Sequence, residues 1–294
     1  MAINYAEKFQ RELDQLITQE ALTTELETPN VNFLDARTFH VPNLSVSGYR
    51  PHSRNGGFNR GEVNVTHEPY TLQFDRDIEF FVDKADVDES NQAASAANVT
   101  RVFMREKGIP EVDAYRFSKL ATVSKDEGTS IDEEIDKTNV LPRLKAGILP
   151  VRKYGPSNII VYVSSAVMDA LEQSESFNRK IDVTANGGSI ETRVTSIDGV
   201  QLKEVWDEGR FYDVFDFTSG FVPDESAQKI NFLVVAKPAV IAKAKISSIY
   251  LFQPGQHTQG DGYLYQNRIY HDLFKLKNKR DGVYASLVPT GVEA

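Results

Sequence analysis

Apolar and polar positions change period several times along this chain. Over residues 3–17, Tyr5, Phe9, Leu13, Leu16 and Ile17 recur at three- and four-residue spacings among charged and amide side chains. That pattern predicts an amphipathic helix. It could dock on its own domain or serve as an arm that docks on something else. The stretch that follows, Thr18 to Thr28, is polar and acidic and closes at Pro29, and it promises little packing of its own.

From Phe33 to Val87 the period is two, as half-buried strands require. Phe39, Val41, Leu44 and Val46 form one strand, residues 62–68 alternate as a second, and Tyr70, Leu72 and Phe74 continue the pattern. Between the first two lies loop 48–61, with Gly48, Gly56, Gly57 and Gly61, Pro51 and the Asn55-Gly56 pair. Glycine and Asn-Gly mark tight turns, and a turn-rich excursion of this length inside a domain needs a functional reason.

An Ala-rich helix is predicted over 88–107, with acids at its start, a basic last turn and Gly108 as its stop. At 1.5 Å per residue it would be about 30 Å long. A second helix is predicted to start at Pro110 and to carry Val112, Tyr115, Leu120 and Val123. Further on come a helix from Val140 to Leu149, a strand over 158–163, and a helix over 165–172 capped by Ser165. Strand character dominates 191–205, 230–236 and the tail from Ile246 to Leu287, with turns at Gly255, Gly260 to Gly262, and Asp281-Gly282. This is an α+β mixture rather than a βαβ alternation.

Composition narrows the chemistry. The 294 residues are 40% hydrophobic and 26% charged, enough for a packed core in about two domains. With 33 Lys and Arg against 42 Asp and Glu, the net charge of −9 argues against a nucleic-acid reader that works by neutralising phosphates. Cysteine is absent, which removes disulfides, thiolate nucleophiles and cysteine-based metal sites. No basic segment followed by an apolar one opens the chain, and the longest apolar runs are strand-sized, so a soluble protein is expected, with the sequons at Asn64 and Asn98 unmodified.

Catalytic constellations are weak. None of the five histidines pairs with another at a helical metal spacing. His271-Asp272 matches one dipeptide of metal-dependent hydrolases, but an isolated dipeptide more simply makes a structural hydrogen bond. A calcium loop starting at Asp86 would need Gly at Asn91 and Glu at Ala97. Phosphate-binding loops and nucleophile elbows do not occur. No cofactor is expected.

Charge patterning says more. Loop 48–61 carries Arg50, Arg54 and Arg60 and no acid, whereas residues 75–90 hold Asp75, Asp77, Glu79, Asp83, Asp86, Asp88 and Glu89 against Arg76 and Lys84. These could be two solvated faces, or a basic loop and an acidic belt complementary between copies.

At these residues the chain resembles the major capsid proteins of tailed bacteriophages, which have the Hong Kong ninety-seven fold. The resemblance is carried by Asp75-Arg76, Phe80-Phe-Val-Asp83, Asp86-Val-Asp-Glu89 and Pro110-Glu-Val-Asp-Ala-Tyr-Arg-Phe-Ser-Lys-Leu-Ala121. It continues through Lys229-Ile-Asn-Phe232, Ala239-Val-Ile-Ala242, Asn267-Arg-Ile-Tyr-His-Asp272, Asn278-Lys279 and Gly282-Val-Tyr-Ala285. In matching order it spans about residues 33 to 287. It implies an N-arm over 1–32 and a peripheral domain over 33–137 with an extended E-loop at 46–75 and the spine helix at 88–107. An axial domain would follow over 138–244, and 245–294 would return to the peripheral domain.

The resemblance also implies a function. Many copies would assemble as hexamers and pentamers into an icosahedral shell around double-stranded DNA, in the virion and earlier in the host cytoplasm. Scaffolding, portal and decoration proteins are candidate partners, and no membrane or sequence-specific DNA contact is implied. The inter-subunit contacts expected are Arg50, Arg54, Gly56, Gly57 and Arg60 in the loop, with Asp75, Asp77, Glu79, Asp83 and Asp86 in the belt. Some relatives cross-link a loop lysine to a neighbouring asparagine, but no lysine occurs here between Lys8 and Lys84, so noncovalent contacts are expected. On this reading the chain opens at its arm with no fused scaffolding segment ahead of it. The alternatives are the shell of a nanocompartment, another phage structural subunit such as a tail tube, or a metal-dependent hydrolase using His271 and Asp272.

Overall fold

The structure, a computed structural model, describes residues 21–28, 37–52, 56, 58–85, 96–174 and 194–290. The predicted helix over 3–17 therefore lies outside the described residues, as do 86–95 and 175–193. The elements run β1 (Thr38–Val46), β2 (Val63–Thr71), β3 (Phe74–Asp83), α1 (Ala96–Phe103), α2 (Ile109–Asp126), β4 (Ser130–Asp132), α3 (Val140–Val151), β5 (Ile159–Ser164) and α4 (Ser165–Gln173). They continue with β6 (Ser196–Ile197), β7 (Val200–Val205), β8 (Phe215–Asp216), β9 (Val222–Pro223), β10 (Ile230–Ala236), β11 (Val240–Phe252), β12 (Gly262–Lys275) and β13 (Val283–Leu287).

The two continuous apolar runs become central strands. Every residue of β5 and β10 is buried, and the two pair antiparallel in the middle of a six-stranded sheet ordered β4-β13-β10-β5-β7-β6. Strands that bury both faces need cover on both. Val161, Val163, Phe232 and Val234 pack beneath α3 and α4, while Ile160, Tyr162, Leu233 and Val235 pack with Phe117 and Leu120 of α2. The last strands divide between two sheets: β12 joins the three-stranded sheet β11-β12-β3, and β13 lies beside β10 in the six-stranded one.

Helix α1 does not stop at Gly108. Residues Met104–Gly108 wind as a π turn and the helix continues through α2, so the chain is helical from 96 to 126. Gly108 has ordinary right-handed angles, φ −63° and ψ −49°, and Pro110 sits inside the run rather than opening a separate helix. The local physics accounts for the difference. Proline has no N–H to donate and its ring would collide with the carbonyl four residues back, at Glu106. A π turn just ahead of it widens the coil and absorbs that conflict. The cap of α4 also moves by one residue: Ser164 accepts from the Val167 N–H, and the Ser165 hydroxyl donates to Glu204 and the Val205 carbonyl.

Candidate functional site

β1 and β2 form an antiparallel ribbon in register from Thr38↔Thr71 to Val46↔Val63, with no third strand among the described residues. Nine residue pairs make it about 30 Å long. Its root is anchored. Phe39 and Tyr70 stack 5.6 Å apart on one face, both lie 5.4 Å from the Phe274 ring, and the Tyr270 hydroxyl donates to the Leu72 carbonyl at 2.7 Å.

Beyond the root the apolar side chains switch to the opposite face. Leu44 stands across from Val65 and Val46 across from Val63, on the face that alternates with Phe39 and Tyr70. They are 63%, 56%, 66% and 65% exposed, in that order. Asn43, Ser45, Asn64 and Thr66 occupy the other face of the same stretch. A two-stranded ribbon is marginal by itself, and an apolar face with no cover marks an interaction surface. At the tip, Tyr49 and Phe58 are fully exposed, and the Asn59 amide donates to the Pro51 carbonyl at 2.9 Å. Arg50 and Arg60 are exposed here with no ion pair among the described residues, and Gly56 stands in the turn. Arg54 and Gly57 lie outside the described residues.

Strand β3 carries the acidic row. Alternation turns Asp75, Asp77, Glu79 and Asp83 outward, and Phe74, Arg76, Ile78 and Phe80 inward. Two of the four outward acids are held by side chains of β12. Asp75 receives both arms of the Arg268 guanidinium at 3.0 and 2.7 Å, which holds its carboxyl below the usual range, and Glu79 accepts from Gln266 at 2.5 Å. Asp83 accepts only the Ala85 N–H, and Asp77 makes no hydrogen bond or ion pair among the described residues. Asp86 lies outside the described residues.

The segment before the ribbon is not the loosely packed link that its polarity predicts. Thr23 and Leu26 are buried, and the buried carboxylate of Asp113 on α2 accepts from the N–H groups of Leu22 (3.0 Å) and Thr23 (3.1 Å) and from the Thr23 hydroxyl (2.6 Å). Arg210 adds an ion pair to Asp113 at 3.2 Å, and Arg116 reaches Glu27 at 2.6 Å. Buried charges must be paired, and these pairs clamp residues 21–28 to the helix. Sequence reading passed over Asp113 and Arg116, whose only signal was two charges on a helix face rich in Val, Phe and Leu.

His271 and Asp272 do not act as a pair. Asp272 accepts from the Tyr115 hydroxyl at 2.8 Å and the Gln73 N–H at 3.0 Å, a structural role. His271 is fully buried against the Phe74 and Tyr115 rings, with neither ring nitrogen bonded, and burial pushes its pKa down to about 3. Among the described residues no group of three or more His, Asp or Glu side chains could hold a metal ion, and no helix is long and apolar enough to cross a membrane.

No protein-family model matches this chain, and no curated protein does. Solved structures do. A chain in the asymmetric unit of the bacteriophage PhiM1 mature capsid is 12% identical, with 93% of this chain and 88% of that one covered at a TM-score of 0.66. A chain of the cyanophage P-SCSP1u capsid is also 12% identical, covering 92% and 88% at 0.61. One from Gordonia phage Cozz is 13% identical, covering 92% and 87% at 0.60. The α+β architecture is the phage-capsid fold, and it extends over nearly the whole chain.

Proposed function

We propose that this protein is the major subunit of a tailed-phage head. Many copies close into an icosahedral shell of hexamers and pentamers around double-stranded DNA, in the virion and before that in the host cytoplasm. The observation that carries the reading is a capsid fold whose β1–β2 ribbon leaves an apolar face exposed among the described residues. A closed shell requires subunits that offer unlike patches to one another, and a ribbon reaching onto a neighbouring copy supplies one.

The contacts are noncovalent, since the loop holds no lysine. The basic tip with Arg50, Arg54 and Arg60, shaped by Gly56 and Gly57, meets acids of the 75–86 row on a neighbour. Asp77 and Asp83 are the most available of them, because Asp75 and Glu79 are already engaged. A net charge of −9 limits attraction to DNA phosphates, so the genome is enclosed without being read. Scaffolding, portal and decoration proteins are its partners during and after assembly. The test is negative-stain microscopy of the purified chain at high concentration. Closed particles support the proposal; a compact monomer under every condition, even with a scaffold supplied, refutes it.

A further inference from the structure

The face of the ribbon that carries Leu44, Val46, Val63 and Val65 also carries the only two histidines of its strands. Alternation places His40 and Pro42 on that face of β1, with Pro69 and His67 opposite them on β2, and all four are exposed. His40 and His67 are diagonal neighbours across the strands, and their rings lie 6.4 Å apart. Neither makes a hydrogen bond or an ion pair among the described residues. Glu68 and Tyr70, the other titratable groups of the two strands, turn to the opposite face, where the Tyr70 hydroxyl donates to Glu68 at 3.1 Å. The cations beside the root act elsewhere: Lys277 lies 3.8 Å from Glu68, and Arg37 draws on Asp75 of β3. With both imidazoles neutral, the face carries no charge along the whole length of the strands.

Histidine changes charge between pH 5 and 8. Taking a charged group out of water is strongly unfavourable unless it is paired, and two neighbouring cations add their own repulsion. We infer that His40 and His67 gate the ribbon's contact with another copy by protonation: the face is covered with both rings neutral and is released as they gain protons. The inference rests on the capsid reading and adds the regulation of its contact. The covered state binds fewer protons than the free chain, so association is strongest at the high end of the pH range and weakens as pH falls. A histidine with the ordinary pKa of about 6.5 that must be neutral to be covered weakens binding about tenfold between pH 7.5 and 5.5, and two such about a hundredfold. Carboxylates titrate near 4 and guanidinium groups above about 12, so the basic tip arginines and the acidic row keep their charges across that window.

Light scattering against concentration gives the particle threshold at pH 7.5 and at pH 5.5, with circular dichroism checking that the chain is folded at both. Acidification should raise the threshold of the unmodified chain between about tenfold and about a hundredfold. His40→Gln with His67→Gln keeps two polar side chains that take no proton, so its threshold should move by less than about threefold, with His52 of the tip retained in both chains. His40→Phe with His67→Phe should behave in the same way, and it covers the case in which the glutamines fold without assembling. His67→Lys sets a lasting cation on the face and should impose the high threshold already at pH 7.5. A threshold that does not move on acidification, or moves equally in the unmodified chain and a double variant, overturns the gate although the capsid reading stands. So does a His67→Lys chain that assembles at pH 7.5 as readily as the unmodified one. If the unmodified chain forms no particles at either pH, the capsid reading fails and this inference with it.

Discussion

Replacing Leu44 and Val65 together with alanine tests the ribbon's role at a calculable strength. The two side chains face each other on the uncovered side of the ribbon. The change removes five carbon atoms, and burying each is worth ~0.8 kcal/mol, or ~4 kcal/mol per copy if all were newly covered. Because 63% of Leu44 and 56% of Val65 is still open in the single chain, the share that assembly can claim is about 2.4 kcal/mol. At 1.4 kcal/mol per factor of ten, the concentration needed for particles should rise about fiftyfold. In the isolated chain the remaining share, about 1.6 kcal/mol, is already buried, so the unfolding free energy should fall by no more than that. Light scattering against concentration measures the first quantity and calorimetry the second. An unchanged threshold with unchanged stability would refute the claim that this face meets another copy.

Three further outcomes follow from the geometry. Arg50→Glu, Arg54→Glu and Arg60→Glu in one chain should abolish particles while the circular dichroism and melting temperature of the monomer stay as they are; normal particles would remove the basic tip from the interface. Asp113→Ala leaves Arg210 and the N–H groups of Leu22 and Thr23 without their buried acceptor, so unfolding free energy should fall by about 3 to 5 kcal/mol, as for other broken buried pairs, with proteolysis at residues 21–28 reporting release of the clamp. Because the folded chain holds the His271 pKa near 3 against 6.5 when unfolded, only the unfolded state gains that proton between those values and stability declines as pH falls through the window. His271→Phe should flatten the part of that decline between about pH 5 and 6.5, above the carboxylate range; urea titrations at each pH check it, and an unaltered slope would show that His271 is not the group responsible.

Much of the fold was legible because periodicity records burial. The all-apolar runs at 159–164 and 230–236 are the two central strands, and the alternation at 74–83 has one face on the helix and one outside. Signals that depend on partners far along the chain were not legible. Gly108 and Pro110 read as a stop and a start, yet the helix runs through them because a π turn relieves the proline clash. Thr18 to Thr28 read as a bare link, because the acceptors that bury its Thr23 stand on a helix some ninety residues away. Arg50, Arg60 and the acidic row stand out in the sequence by charge alone. Charge could not show that Asp75 and Glu79 would be engaged by Arg268 and Gln266 of their own chain, since that depends on the register of β12 against β3. The apolar face of the ribbon was visible only in part: Leu44 and Val46 look like core until the register places them opposite Val65 and Val63, exposed among the described residues.

The most direct measurement is a cryo-electron microscopy map of whatever this protein builds, at side-chain detail. The account predicts a closed particle in which Leu44, Val46, Val63 and Val65 of every copy lie against another copy. A particle in which those four side chains face water would contradict it.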